Sequence, residues 1–163
     1  MLYNNSNVRR QDRLLDEKSA LAILNSGEFG ILSIIDESGR AYGVPLNYVW
    51  DGENYIYIHC ATEGRKLRSI DKNPAVSFCV VGKTNVISAK FTTEYESIIL
   101  ECTAKRGLEL EIRMKALLLL VDKYSPGFQS SGKKSAENAL KITEIIRLQI
   151  VNWSGKRKTS GSE

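Results

Sequence analysis

The sequence predicts a mainly β protein, a closed antiparallel barrel with helices at its periphery. Six short segments have the alternating or β-branched apolar composition of strands. Turn signals such as Asp51-Gly52 join consecutive segments as hairpins would. The sequence has neither a regular βαβ alternation nor a GxGxxG motif, which argues against a doubly wound dinucleotide-binding domain.

Length and composition indicate one compact soluble domain. The chain has 163 residues, of which 42% are hydrophobic and 26% are charged. No apolar run approaches the ~20 residues that a membrane span needs, and residues 1–10 lack the apolar core of a secretory signal. We therefore expect a cytoplasmic protein that is not bound to a membrane. The net charge of +4 is too small to indicate nucleic-acid binding by itself.

Basic residues cluster near both ends of the chain. We expect a polar arm at 1–13, a single domain at 14–155 and a basic, polar tail at 156–163. The simplest interpretation of the terminal charges is solvation, and a role near a bound phosphate is the alternative. The residues concerned are Arg9, Arg10 and Arg13 in the arm, and Lys156, Arg157 and Lys158 in the tail.

The first half of the domain contains one helix and three strands. Asp16 can cap a helix over 16–26, and Gly27 is typical of a helix end. Pro45 cannot donate to a strand ladder, so its position predicts a sheet edge, a bulge or a break that faces a ligand. The strands of this half are expected at 29–35, 41–50 and 54–60.

The second half contains the other three strands and three further helices. A helix over 64–72 ends at Asn73-Pro74, and apolar residues at helical spacing predict the longest helix at 109–123. A short helix is expected at 134–140. The strands of this half are expected at 75–81, 97–104 and 145–153.

The three cysteines, Cys60, Cys79 and Cys102, are widely spaced and lie in strand-like runs. No CxxC pair is present, and a single histidine leaves too few ligands for most metal sites. We expect buried free thiols and no metal centre.

The third predicted strand leads to the only histidine of the chain, His59. Alternation places its side chain on the same strand face as Tyr55 and Tyr57. His59 could be a general acid, a contact of a flavin or a substrate, or a haem ligand. A structural histidine is the plainer alternative. Its position five residues before Gly64 favours a functional role.

Gly64-Arg65-Lys66 stands at the start of a predicted helix, where backbone N–H groups are unpaired and the helix dipole favours an anion. Glycine lets the backbone approach a ligand closely. Arg65 offers a planar fork for phosphate oxygens, and Lys66 adds a compact charge. The triplet is a candidate phosphate site, and an exposed helix with solvated cations is the alternative.

Taken together, these motifs resemble those of the pyridoxamine 5′-phosphate oxidase-like flavoproteins, most closely the 5-nitroimidazole-resistance (Nim-type) branch. The branch pattern has a vPl-y-v strand, then H-x-A-x-x-G-r-K, then n-P-x-v-x-f, and a y-x-S-v strand. This chain has the same features in the same order over roughly residues 10–155. The matching segments are 44–50, 55–59, 64–67, 73–78 and 96–99.

The resemblance implies a six-stranded antiparallel split β-barrel that forms a homodimer with FMN at the subunit interface. By position, Arg65 and Lys66, with Gly64 before them, would hold the FMN phosphate. His59 is the candidate catalytic contact and would lie with Thr62 near the ribityl chain or the ring. The residues implied beside the isoalloxazine ring are Pro45, Leu46 and Asn47, and those implied to reach FMN from the partner subunit are Tyr95 and Ser97.

The leading functional hypothesis is an FMN-dependent oxidoreductase with a small organic acceptor. The resemblance suggests nitroaromatic reduction as one activity, with NADH or NADPH as a candidate electron donor. Vitamin B6 oxidases carry further arginine and histidine residues near the C-terminus, whereas this chain ends without a histidine, so pyridoxamine phosphate oxidation is not expected. The alternatives are a non-catalytic flavin- or haem-binding carrier or sensor, and a nucleic-acid-binding barrel, which the 19 interspersed carboxylates disfavour.

Overall fold

The computed structural model of the chain describes residues 1–160. Residues 161–163, the end of the predicted tail, lie outside the described part. Within it the chain forms eight strands and four α-helices, as follows. The strands are β1 (Leu2–Tyr3), β2 (Phe29–Ile35), β3 (Ala41–Asn47), β4 (Val49–Trp50), β5 (Tyr55–Ala61), β6 (Ala75–Ile87), β7 (Thr92–Lys105) and β8 (Thr143–Lys158). The helices are α1 (Glu17–Ser26), α2 (Arg65–Lys72), α3 (Leu110–Tyr124) and α4 (Gln129–Ala139).

The strands form a single sheet in the order β3-β2-β6-β7-β8-β5-β4, and every neighbouring pair on this path is antiparallel. β3 and β4 stand at the two ends of the path, so hydrogen bonds do not close the sheet into a ring. The sheet curls until β3 lies near β5 without pairing with it. The mainly β, antiparallel, split-barrel prediction is confirmed. The number of strands differs from the expected six, and β1 pairs with β8 in parallel.

The predicted strand at 41–50 is interrupted at Tyr48, which divides it into β3 and β4. The Tyr48 N–H donates to the phenol oxygen of Tyr124 at 2.9 Å instead of joining a ladder. The same phenol donates to the carbonyl of Tyr48 at 2.7 Å, so α3 satisfies the backbone at the break. Pro45 lies in the edge strand β3, which is one of the positions predicted for it.

The sheet extends further toward the chain ends than the predicted domain boundaries. β8 continues to Lys158, which pairs with Tyr95 of β7, so residues 156–158 belong to the sheet and not to a tail. Tyr3 of the predicted arm pairs with Trp153. β7 likewise begins at Thr92, five residues before the predicted strand at 97–104. Paired backbone hydrogen bonds stabilise these polar strand ends, and composition does not reveal such pairing.

Two apolar clusters lie on opposite faces of β5. Ile56 and Ile58 are fully buried in the barrel interior, together with Trp153 and Phe78. Tyr57, on the other face, packs against α3 in a second cluster. The alternation predicted for this strand is therefore observed. None of the helices within residues 1–160 combines the length and the apolar character needed to cross a bilayer.

Candidate functional site

The start of α2 is shaped to receive an anion. Gly64 precedes the helix with φ of 145°, and an added Cβ would meet no atom within 4 Å. L-residues rarely adopt this conformation, so the glycine is required by the backbone and not by crowding. No side chain of the described residues caps the helix. The Leu67 N–H already donates to the Gly64 carbonyl at 3.1 Å, so the N–H groups of Arg65 and Lys66 are the ones available to a ligand.

Arg65, the first residue of α2, is held at two points. One terminal guanidinium nitrogen donates a short hydrogen bond to the carboxylate of Asp36, in the turn between β2 and β3. The guanidinium carbon also lies 4.1 Å from the ring centroid of Tyr42 on β3. The arginine side chain is nevertheless 47% exposed, so its other N–H groups can reach a ligand.

Asp36 is a buried carboxylate with an unusually complete set of donors. It accepts hydrogen bonds from the Ser38 N–H at 2.9 Å, the Ser38 hydroxyl at 2.7 Å and the Arg40 N–H at 2.9 Å. The Ser38 and Arg40 donors, together with the Arg65 guanidinium, hold the pKa of the Asp36 carboxyl well below its usual range. Asp36 is therefore ionised at neutral pH and offsets the charge of Arg65.

Lys66 points to the other side of the helix start. It lies beside the half-buried thiol of Cys60 at the end of β5. Burial raises the pKa of this thiol, and the lysine charge opposes that rise. No carboxylate within residues 1–160 forms an ion pair with Lys66. The two cations that the sequence placed side by side therefore differ, because only Arg65 is neutralised locally.

His59 and Asn47 meet at a second location. Both line a cavity of about 360 Å³ between the barrel and the helices α3 and α4. His59 is exposed on the α3 side of β5, as the alternation predicted. The side-chain amide of Asn47 donates to the Glu28 carbonyl at 2.9 Å, which fixes its orientation. The rest of the wall is largely apolar and includes Leu117, Leu120, Val121, Ala136 and Ala139.

The remaining predicted residues are spread over the fold. Pro45 pairs with Ile31 and faces outward, whereas Leu46 packs toward the barrel interior. Thr62 lines a separate polar depression formed with α3 and the end of α4. Tyr95 and Ser97 lie near the start of β7. Neither of them lines the groove that contains Tyr42 or the cavity that contains His59. One chain therefore does not gather all ten predicted contacts into one pocket.

The outer face of the sheet is apolar and uncovered. A groove of about 610 Å³ runs across β2, β3, β6 and β7, and Tyr42 lies in its wall. Because the ring of the same tyrosine contacts the Arg65 guanidinium, the groove and the start of α2 are adjacent. Six large apolar side chains on this face are between 38% and 55% exposed: Phe29, Ile31, Ile35, Val81, Ile99 and Val151.

Asp36 and Tyr42 are site residues that the sequence analysis missed. The local pattern at 36–39 indicates only a turn, since an Asp at such a position normally bonds its own turn. Its pairing with Arg65 joins residues 29 positions apart, and no local pattern reports it. The local signal that could have drawn attention to Asp36 is a carboxylate followed by Ser38 and Gly39.

The chain belongs to the pyridoxamine 5′-phosphate oxidase family. A family model with the description pyridoxamine 5′-phosphate oxidase matches residues 16–157, which is nearly the whole described domain. The resemblance seen in the sequence motifs is thereby confirmed. No curated protein is detectably similar to the chain in sequence.

Solved structures share this fold at low sequence identity. A candidate 5-nitroimidazole antibiotic resistance protein from Bacteroides thetaiotaomicron has a TM-score of 0.74 at 18% identity, over 89% of this chain and 86% of its own. The FAD and haem binding protein of Mycobacterium smegmatis has a TM-score of 0.79 at 18% identity, over 92% and 75%. The flavocytochrome Anf3 of Azotobacter vinelandii has a TM-score of 0.73 at 18% identity, over 89% and 68%. What these proteins share with the chain is the split-barrel fold.

Proposed function

We propose that this protein binds FMN and acts as an oxidoreductase on a small organic acceptor. The start of α2 is the observation that carries the proposal. The helix end is uncapped and begins at an open glycine. The restrained Arg65 guanidinium and Lys66, which has no ion-pair partner within residues 1–160, lie on either side of it, and a phosphate monoester is the natural ligand of such donors. Similar proteins that bind FAD or haem, and a candidate nitroimidazole-resistance protein, support a redox role.

The edge strand β3 is the proposed support for the flavin ring. Its outer edge has no strand partner within residues 1–160, so backbone groups are available to a flat heterocycle. From Tyr42 to Asn47 the strand spans roughly 16 Å, which connects the phosphate end to the residues predicted beside the ring. Pro45, Leu46 and Asn47 would line the ring, and Thr62 would lie near the ribityl chain.

The proposed assembly is a homodimer formed through the apolar sheet face. An exposed apolar surface of this extent is typical of an interface, and a two-fold pair would cover it with an identical surface. The groove reaches Tyr42 and therefore the phosphate site, which supports FMN at the subunit interface. Ser97 pairs with outward-facing Val81 and is proposed to reach FMN bound by the partner. Tyr95, two residues before it, would have the same role.

When bound, FMN supplies the redox chemistry, and the chain supplies binding and orientation. Arg65, Lys66 and the α2 amides would fix the phosphate, while β3 would fix the ring plane. His59 and Asn47 both line a largely apolar cavity, where an imidazole would donate a proton to an organic acceptor. NADH or NADPH is the proposed electron donor and nitroaromatic reduction a proposed activity, in a cytoplasmic protein.

FMN binding is tested by purifying the protein, releasing the ligand with denaturant and measuring affinity by fluorescence titration. We expect FMN, and at least tenfold weaker binding for Arg65→Ala and for Lys66→Ala, because each change removes a charge-assisted bond of about 1.5–3 kcal/mol. Arg68→Ala is the matched control, since Arg68 lies on the same helix but pairs with Glu37 at 2.9 Å. Unchanged affinity in both phosphate-site variants would refute the assignment.

The interface is tested by sedimentation of the wild type and of Ile31→Lys. A buried, unpaired lysine opposes association, so we expect a dimer in the wild type and a monomer in the variant. Leu110→Lys is the control, because Leu110 is 62% exposed on α3, outside the sheet face. Dissociation of the control alone would place the interface elsewhere.

A haem-binding carrier or sensor is the second candidate function, and His59 is the observation that favours it. The imidazole is exposed next to a largely apolar cavity, which is an arrangement that an axial haem ligand requires. Absorption spectra of the purified protein distinguish the two cofactors. An intense Soret band that His59→Ala abolishes would favour haem, and flavin bands that persist in this variant favour FMN.

A further inference from the structure

Asp36 and Ser69, two polar residues that are buried as whole residues, are both bonded to Arg65. Asp36 accepts from the guanidinium, and the Ser69 hydroxyl donates to the Arg65 carbonyl at 2.7 Å. The Ser69 bond is the usual contact of a helical serine with the carbonyl four residues earlier, so Asp36 is the buried group that bonds the guanidinium. A buried carboxylate is costly to place, and its contact with a half-exposed arginine needs an explanation. Fixing α2 to the barrel is insufficient as an explanation, because Arg68 and Lys72 already bond Glu37 across the same gap.

The contact between Asp36 and Arg65 is also unnecessary for the turn itself. Two backbone N–H groups and the Ser38 hydroxyl already satisfy the carboxylate within the turn. Asp36 therefore has acceptor capacity beyond what its own turn uses. The guanidinium is bonded at one nitrogen by Asp36 and covered on one face by Tyr42, while its remaining donors have no hydrogen-bond partner in the described chain.

We propose that Asp36 is a positioning residue that holds Arg65 ready for the phosphate of FMN, an inference that rests on the proposed function. A free arginine side chain loses rotamer freedom when it binds an anion, and a restrained one has already lost it. The carboxylate also offsets part of the arginine charge. The site therefore depends on directed N–H groups more than on charge, and Asp36 acts only on the phosphate end of the ligand.

The test compares FMN with riboflavin, which has the same ring and no phosphate. Asp36→Asn keeps an acceptor for Ser38 and Arg40 but loses the charge that holds the guanidinium. We expect its FMN affinity to fall about tenfold while its riboflavin affinity stays at the wild-type value. An equal fall for both ligands would show a merely structural role and overturn the proposal. An FMN affinity that is unchanged or higher would also overturn it.

Two further variants sharpen this experiment. Glu37→Gln breaks the neighbouring contact with Arg68, and we expect it to alter neither affinity. In an Arg65→Ala background, Asp36→Asn should no longer weaken FMN binding, because the residue acts through Arg65. A further tenfold loss of FMN affinity in that background would contradict the proposal that Asp36 acts through Arg65. Should Asp36→Asn not fold, the Arg65 side-chain NMR signal of the wild type without FMN decides between a restrained guanidinium and a freely rotating one.

Failure of the positioning role of Asp36 can be distinguished from failure of the proposed FMN binding. If the wild type binds FMN no more tightly than riboflavin, the phosphate anchor of the proposed function fails. Inorganic phosphate then serves as the probe, through NMR shifts of the amides at 64–66. Weaker phosphate binding in Asp36→Asn supports the positioning role without FMN, and equal phosphate binding in both proteins overturns it.

Discussion

Arg65 and Lys123 each lie over a tyrosine ring, in opposite surroundings. The guanidinium carbon of Arg65 lies 4.1 Å from the ring centroid of Tyr42, and the ammonium of Lys123 lies 3.9 Å from that of Tyr48. Arg65 is half exposed and has a carboxylate partner. The Lys123 nitrogen is buried without a hydrogen-bond partner in the described chain. The same kind of contact thus restrains a half-exposed cation in one region and packs a buried cation in the other.

The protonation behaviour of the two cations follows from this difference. Burial lowers the pKa of Lys123 to about 8, because the charged form loses its hydration and gains no partner. Arginine does not deprotonate in proteins, and its charge is balanced here by Asp36. An anion site needs a cation with a permanent charge and free donors, and Arg65 satisfies both requirements.

The largest expected effect is a loss of stability when the buried contact between Tyr48 and Lys123 is removed. Tyr48 is fully buried, its hydroxyl donates to the Leu24 carbonyl at 2.6 Å, and its ring packs edge-on against Phe78. We expect Tyr48→Ala to lower the free energy of unfolding by about 4 kcal/mol, measured by chemical denaturation. A loss below about 1 kcal/mol would show that the two tyrosines are energetically alike, and the comparison would fail.

The next largest expected effect is on FMN binding, at the exposed contact between Arg65 and Tyr42. Arg65→Lys keeps the charge but loses the planar fork that Asp36 and Tyr42 orient. We expect FMN affinity to fall about tenfold, which corresponds to about 1.4 kcal/mol in a fluorescence titration. Arg68→Lys on the same helix is the control and should bind as the wild type does. An equal affinity for Arg65→Lys would mean that charge alone suffices.

Lys123→Met tests the unpaired ammonium. The pKa of Lys123 is about 8 in the folded protein and 10.5 ordinarily, so between these values the unfolded chain binds more protons. The free energy of unfolding therefore rises with pH across this interval in the wild type. We expect the variant to lose this rise and to be more stable at pH 7 by about 1 kcal/mol. Denaturation at pH 7, 8 and 9.5 measures both changes, and an identical pH slope in the two proteins excludes the assignment.

The smallest effect on stability is expected for Tyr42→Leu. The ring of Tyr42 is only half-buried, and an exposed cation–π contact contributes about 0.5–1 kcal/mol. We expect a loss of about 0.5 kcal/mol in unfolding free energy and a several-fold weaker binding of FMN. A stability loss as large as that of Tyr48→Ala would place Tyr42 in the core.

Local patterns predicted much of the fold because local energetics decide it. The helix cap at Asp16 accepts from the Ser19 N–H at 2.8 Å, and β2 spans the residues expected for it. The predicted helix at 134–140 is longer in the structure, where α4 begins at Gln129. The small and polar residues of α4 lack the apolar periodicity by which a helix is recognised in a sequence. Contact with α3 stabilises the helix, and a Cβ at Gly132 would meet Val121 at 2.3 Å.

The sequence alone determined the mainly β class, the face of His59 and the glycine-arginine-lysine start of α2, because these depend on neighbours within a few residues. Only the tertiary structure decided that Arg65 is paired while Lys66 is not, and that Pro45 and Asn47 lie on an edge strand beside an uncovered face. Those properties arise from residues that are distant along the chain and adjacent in space. Long-range strand pairing brings Asp36 to Arg65, and no local periodicity encodes that contact.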